Sequence, residues 1–318
     1  MKKLIHRILL ATDFSPFSAR TFHLALLWAD ACDAVLDIFH VIPILHEAEL
    51  DSAVANLHLK EQKELFQSKL EGLVSQGKKK LPEVHSHLLE GIPADAITEF
   101  AVSSQADLVI TGTHGWTGVN RVMMGSVAER VICQAPCPVL SMHDVEPTGT
   151  TSLDEAGRDG PYSPPRHILL PVDFSDCSLD AYEYAVNLEK SFETSVTLIH
   201  SFEPFSYSLD FSLAHPAEDR QHRENVKGRL ADLTKAFTRE GLNANYVIKR
   251  KPAAEAIIET LTETGADLIV MGTHGHQGLR RLIMGNVAAA VLRQSPVPVL
   301  TVKSPKFKHD SQKSPTRK

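Results

Sequence analysis

Short apolar runs alternate with longer amphipathic stretches along this chain, and the alternation is written twice. Residues 4–11 (LIHRILLA) predict a buried strand that ends at Asp13-Phe14-Ser15. Ser15-Pro16 then predicts a helix start with proline at the first position, running to about Cys32 on Phe22, Ala25, Leu26 and Ala29. Further strands are predicted at 35–41, 84–89, 108–111 and 138–142, with helices near 51–76, 94–104 and from about Ser126. The second half repeats the series. It predicts strands at 168–172 and 196–200, a third at 245–249, and helices at 179–191, 217–239 and 253–264.

The repeat has one offset, 160 residues. Asp13 answers Asp173, His40 answers His200, Ile97 answers Ile257 and Gly112 answers Gly272. A period that long is a domain duplication, not a solenoid. Strand–helix alternation implies a parallel sheet with helices on both faces, joined by right-handed crossovers. The expected architecture is α/β: two tandem doubly wound parallel-sheet domains of five strands each. Their expected bounds are 1–143 and 166–303. Residues 144–165, rich in Pro, Gly and Ser without apolar period, predict an exposed linker. Residues 304–318 predict a basic flexible tail.

Ligands of such sheets bind beyond the carboxyl ends of the strands, where strand order reverses. That edge would gather Asp13, Val41 and the stretch from Gly112 to Gly125. The stretch is glycine-spaced: Gly112, Gly115 and Gly125 have two and nine residues between them, and Gly272, Gly275 and Gly285 match. Glycine lets backbone N–H groups approach an anion, and the helix from Ser126 would add orphan N–H groups and a positive dipole end. Ser126 could cap that helix and offer a hydroxyl to phosphate. Arg121 and Arg281, and the loop histidines His114 and His274, could reach phosphate oxygens. Asp13 and Asp173 would repel phosphate, so each should hold the other end of a ligand, a ribose hydroxyl or an adenine amine. On residues alone a blander reading stays open: glycines that only turn the chain, serine that only caps, aspartate that only shapes a turn. The aromatics Phe202, Phe205, Tyr207 and Phe211 could cover a pocket or simply pack.

Composition narrows the classes. Net charge is −6, which argues against a nucleic-acid partner. No apolar run reaches 18 residues, so no transmembrane helix and no membrane partner are expected. The opening apolar run recurs at 166–175, which makes it a strand and not a targeting segment. Four cysteines in 318 residues are no disulfide framework, and a cytoplasmic location is expected. Cys133 and Cys137 lie four apart, but Arg293 and Val297 stand at those places in the second half, which argues against a metal site.

Both halves resemble universal stress protein domains, and the chain resembles the tandem form of that family. The stretches that carry this are ILLATDFS and ILLPVDFS, GTHGWTGVNRVMMGS and GTHGHQGLRRLIMGN, and the closing PCPVL and PVPVL. The resemblance covers nearly all of residues 4–302. It implies a fold like that of the adenine nucleotide alpha-hydrolases. ATP-binding members carry Gly, two residues, Gly, nine residues, Gly, then Ser or Thr, which Gly112, Gly115, Gly125 and Ser126 match. The resemblance further implies Ala11, Asp13, Val41 and Val127 as nucleotide contacts, with Pro171 and Asp173 as second-half counterparts. It also implies ATP or a related adenine nucleotide as ligand, with Mg2+ as a companion. Pairing of the two domains within the chain, as well as a homodimer, is likewise implied.

The second half departs from the pattern. Asn286 replaces the Ser or Thr, and Lys251 stands where the first half has Gly91, although Pro171 fits the first-strand pattern better than Ala11. Better binding in the first domain is therefore expected. The sequence offers no Gly-x-Ser-x-Gly elbow, His-Glu-x-x-His pair or Gly-x-x-x-x-Gly-Lys-Ser/Thr loop. The leading expectation is a cytosolic nucleotide-binding protein with a regulatory, stress-protective role and at most a weak ATPase. The alternatives are a slow nucleotide hydrolase on the same fold and a nucleotide-free scaffold.

Overall fold

The computed structural model describes residues 4–44, 52–113, 124–143, 164–192, 194–202, 216–239, 241–275 and 284–303. The chain divides into two compact units, the first running to Pro164 and the second starting at Pro165.

In the first unit the strands are β1 (Arg7–Ala11), β2 (Val35–Pro43), β3 (Val84–Gly91), β4 (Leu108–Gly112) and β5 (Val139–Met142). Between them lie α1 (Ser18–Cys32), α2 (Ser52–Gly77), α3 (Pro93–Ser103) and α4 (Ser126–Gln134). All pairings are parallel, in the order β3-β2-β1-β4-β5. Chain order reverses between β1 and β4. Right-handed crossovers then put α1 and α2 on one face of the sheet and α3 and α4 on the other. Strands covered on both faces should be continuously apolar. Accordingly Ile8, Leu9 and Leu10 of β1 and Leu108, Val109 and Ile110 of β4 are fully buried. Each such side chain contributes about 1.5–3 kcal/mol to folding.

The second unit repeats the plan. Its elements are β6 (His167–Pro171), α5 (Asp176–Phe192), β7 (Ser195–Ser201), α6 (Pro216–Arg239), β8 (Asn243–Lys249), α7 (Ala253–Thr264), β9 (Leu268–Gly272), α8 (Asn286–Gln294) and β10 (Val299–Val302). The order is β8-β7-β6-β9-β10, again parallel. Five strands per domain is the number expected from the pattern.

One aspartate per unit fixes the amino-terminal edge. Asp107 Oδ2 accepts the N–H groups of His6 and Arg7 at 2.8 and 3.0 Å. Asp267 does the same for Arg166 and His167. Each binds the start of the first strand to the start of the fourth.

Two helix starts differ from expectation. Pro16 is not the first residue of α1, which begins at Ser18 after a turn in which Ser18 N–H donates to the Ser15 carbonyl at 3.0 Å. An Asx turn precedes it, with Phe14 at a left-handed φ of 57° and Asp13 Oδ1 accepting the Ser15 N–H at 2.9 Å, and no side chain caps α1. Its twin α5 starts early, at Asp176 instead of 179, because Ser175 Oγ accepts the Ser178 N–H at 3.3 Å and caps it.

Candidate functional site

At the carboxyl edge of the first unit, beside the reversal of strand order, lies a cavity of about 390 Å³. It falls in the size range of small-molecule sites. Ala11 and Asp13 reach it from the end of β1, Val41 from β2, Gly112 from β4, and Gly125, Ser126 and Val127 from the start of α4. The structure thus brings seven sequence-predicted residues around one hollow. His114, Gly115 and Arg121 lie outside the described residues, as does Arg281 in the second unit.

The start of α4 is built for an acceptor. The Gly125 N–H donates to the Thr113 carbonyl at 2.8 Å, and the Gly125 carbonyl accepts the Glu129 N–H at 3.0 Å. Gly125, with φ −65° and ψ 140°, is therefore the cap, and Ser126 is the first helical residue instead of the cap expected from sequence. No side chain caps this helix. Its leading N–H groups are left to meet whatever enters the cavity. The α8 start is the same: Gly285 caps it and Asn286 is the first helical residue.

Asp13 is held by the turn at Phe14. A phenylalanine in left-handed geometry costs about 1–3 kcal/mol and needs compensation. The Phe14 ring finds it by packing on His40 (centroids 4.9 Å) and stacking on Phe66 (5.7 Å), with the Lys69 ammonium 5.4 Å above. Phe174, at φ 63°, is placed likewise against His200 at 5.3 Å, under the Arg229 guanidinium at 3.8 Å. His40 Nδ1 lies 2.8 Å from the Thr12 carbonyl, which can only accept, so Nδ1 carries the proton in the neutral ring. Burial pushes the His40 pKa below its usual 6.5, against the upward pull of the Thr12 carbonyl and Asp13.

Several wall residues escaped the sequence reading, among them Arg20, Phe66, Ile97, Thr113 and His143. For Ile97 a signal existed, since it repeats as Ile257, but a repeated isoleucine reads equally as core. Phe66 comes from the middle of α2, a place only tertiary packing reveals.

The second unit arranges the matching residues differently. Asp173 Oδ1 accepts both the Ser175 N–H at 2.9 Å and the Ser175 hydroxyl at 2.6 Å. Its Oδ2 lies 2.7 Å from where a Cβ on Gly275 would sit. A Cβ on Gly272 would come within 2.8 Å of the Cys177 backbone, so the first turn of α5 rests directly on the end of β9. The ladder opens there: β1 pairs with β4 through Ala11↔Thr111, whereas β6 pairs with β9 only at Ile168↔Leu268 and Leu169↔Ile269. Phe17 is 36% exposed on the wall of the first cavity, and its counterpart Cys177 is 5% exposed in the first turn of α5. Pro171 ends β6, and His274 Nδ1 lies 2.9 Å from Thr273 Oγ1. Lys251 lacks the positive φ of Gly91 (156°), and its ammonium meets Glu255 and Glu259 at 3.3 and 3.1 Å. Phe202 packs edge-on against His200 and His222; the aromatics Phe205, Tyr207 and Phe211 lie outside the described residues.

Among the described residues no cluster of three His, Cys, Asp or Glu could hold a metal ion, and no helix is long and apolar enough to cross a membrane.

Comparison with known proteins identifies the domain family. The model of the universal stress protein family matches twice, over residues 5–143 and 165–303. Universal stress protein MJ0531 of Methanocaldococcus jannaschii is 35% identical over 143 residues, covering 44% of this chain and 82% of that protein. Universal stress protein Mb2028c of Mycobacterium bovis is 25% identical over 224 residues, 69% of each chain. Among solved structures, a universal stress protein from Archaeoglobus fulgidus is similar with TM-score 0.64 at 20% identity, over 96% of this chain and 100% of that one. The chain belongs to the universal stress protein family and carries its domain twice.

Proposed function

We propose that the first domain binds an adenine nucleotide in its cavity, and that binding, not turnover, is what it contributes to a regulatory role in stress. Phosphates sit on the N–H groups opening α4, where the dipole adds about 0.3–1 kcal/mol. Asp13 accepts a ribose hydroxyl, and the backbone at Val41 meets the base. The observation that carries this reading is the convergence of Ala11, Asp13, Val41, Gly112, Gly125, Ser126 and Val127 on one hollow. Asp13 is the sole carboxylate among the described residues of its wall. Magnesium arriving with the nucleotide would thus take most of its oxygen ligands from phosphate and water, as that ion commonly does.

The second domain binds more weakly in this reading. Asp173 already holds the Ser175 hydroxyl, and α5 closes on Gly272. A cytoplasmic location accords with the composition.

Calorimetric titration with ATP tests the proposal. The wild-type chain should bind one equivalent tightly, and Asp13→Asn should weaken that binding about tenfold, about 1.4 kcal/mol. Equal losses from Asp13→Asn and Asp173→Asn would contradict the asymmetry. Repeated release of phosphate by the purified chain would replace binding with hydrolysis as the function.

A further inference from the structure

We infer that Arg20 reads the phosphate tail of the ligand, so that the first domain takes a nucleoside di- or triphosphate in preference to a monophosphate. The inference rests on the nucleotide reading above and specifies its ligand class. Arg20 stands in the first turn of α1 and shares the cavity wall with Thr113, Gly125 and Ser126. It is the only Arg or Lys among the described residues of that wall, and Asp13 is the only carboxylate. One phosphate can be met by the backbone N–H groups opening α4. Each further phosphate brings charge into a partly enclosed space, and a guanidinium is suited to meet it with forked, charge-assisted hydrogen bonds.

The duplication supplies an internal comparison. The residue equivalent to Arg20, 160 positions on, is Asp180. Its buried Oδ2 has no hydrogen-bond partner. At the position matching Arg20 the second domain thus carries an acidic side chain in place of a basic one. The reversal of sign is independent of the glycine spacing, which both domains share.

The experiment is calorimetric titration of the full chain with AMP, ADP and ATP, for wild type, Arg20→Gln and Arg20→Lys. Thermal unfolding of each variant confirms that it folds. Wild type should bind ATP and ADP more tightly than AMP. Arg20→Gln should weaken ATP about tenfold and AMP less than twofold, and Arg20→Lys should fall between. Raised salt should weaken ATP binding by wild type more than by Arg20→Gln. Equal losses for AMP and ATP, or no loss for either, would overturn the role of Arg20 while leaving the nucleotide reading standing. Failure of wild type to bind any of the three would overturn that reading and this inference with it.

Discussion

Gly272 and Gly112 occupy the same place in sequence, but Gly112 lines the first cavity while Gly272 is pressed against the start of α5. A methyl group on Gly272 would meet the Cys177 backbone at 2.8 Å, a contact that main-chain atoms cannot relieve by rotation. Gly272→Ala should therefore destabilise the second domain by about 1–3 kcal/mol, read as a fall in its urea midpoint. Gly125→Ala should cost less. Its φ of −65° suits any residue, and the added methyl meets the Thr113 carbonyl at 3.3 Å, tight enough to need a shift of a few tenths of an ångström but wider than the 2.8 Å clash at Gly272. At this scale the sequence was informative where chemistry repeats: Asp13, Gly112 and Gly125 stand out because Asp173, Gly272 and Gly285 echo them. It was silent on the left-handed backbone at Phe14 and Phe174, since nothing in a phenylalanine's identity announces that geometry. Nor did it mark Arg20, which has no echo because its counterpart carries the opposite charge.

Among the elements, helix starts separate the two domains. The tripeptide Asp-Phe-Ser precedes both α1 and α5, but Ser175 caps α5 and Ser15 does not cap α1: the Ser15 hydroxyl is buried without a hydrogen-bond partner. Ser175→Ala should cost about 1 kcal/mol of stability in the second domain. Ser15→Ala should cost less, and paired thermal melts would show the difference. Equal costs would mean that Ser175 contributes little as a cap. Strands and helices were legible because buried parallel strands read as unbroken apolar runs. Their ends were less so. The extra length of β2, to Pro43, and of β3, to Gly91, comes from mutual pairing that extends to Pro43↔Gly91, a long-range property. The start of α5 hinged on a hydroxyl's choice of partner, which local sequence does not decide.

Over the whole molecule, stability should depend on mild acid. Burial, the largest influence on each, lowers the pKa of His40, His167 and His200 below 6.5. The unfolded chain then binds more protons than the folded one as pH drops below about 6.5. These three contributions are thus complete above that value and are lost as pH falls through the lowered folded values. The groups facing His40 are Asp13, which opposes this shift, and Lys69, which adds to it. Asp37 acts lower on the scale. Burial alone would raise its pKa, but hydrogen bonds from His87 (2.8 Å) and Arg7 (2.6 Å) outweigh it and hold the carboxyl below 3.8. Its contribution persists above that value and disappears below it. The urea midpoint should hold steady above pH 7 and drop by pH 5.5; a flat profile across that interval would refute the assignment. The second domain has Thr197 where the first has Asp37, with the hydroxyl 2.8 Å from His167 Nε2, so Asp37→Asn should alter acid unfolding of the first domain alone.

The short bond between Ser175 and Asp173 has a consequence for any sugar that approaches the second domain. A visiting hydroxyl would have to displace one that is tethered two residues away and never diffuses off. Against such a resident rival, raising the concentration of a free molecule is a poor lever, because intramolecular partners act at effective molarities that solutes do not reach. Removing the rival is the better one: a chain lacking the Ser175 hydroxyl gives up one of the two hydrogen bonds that Ser175 makes to its second aspartate, the one a sugar hydroxyl could replace.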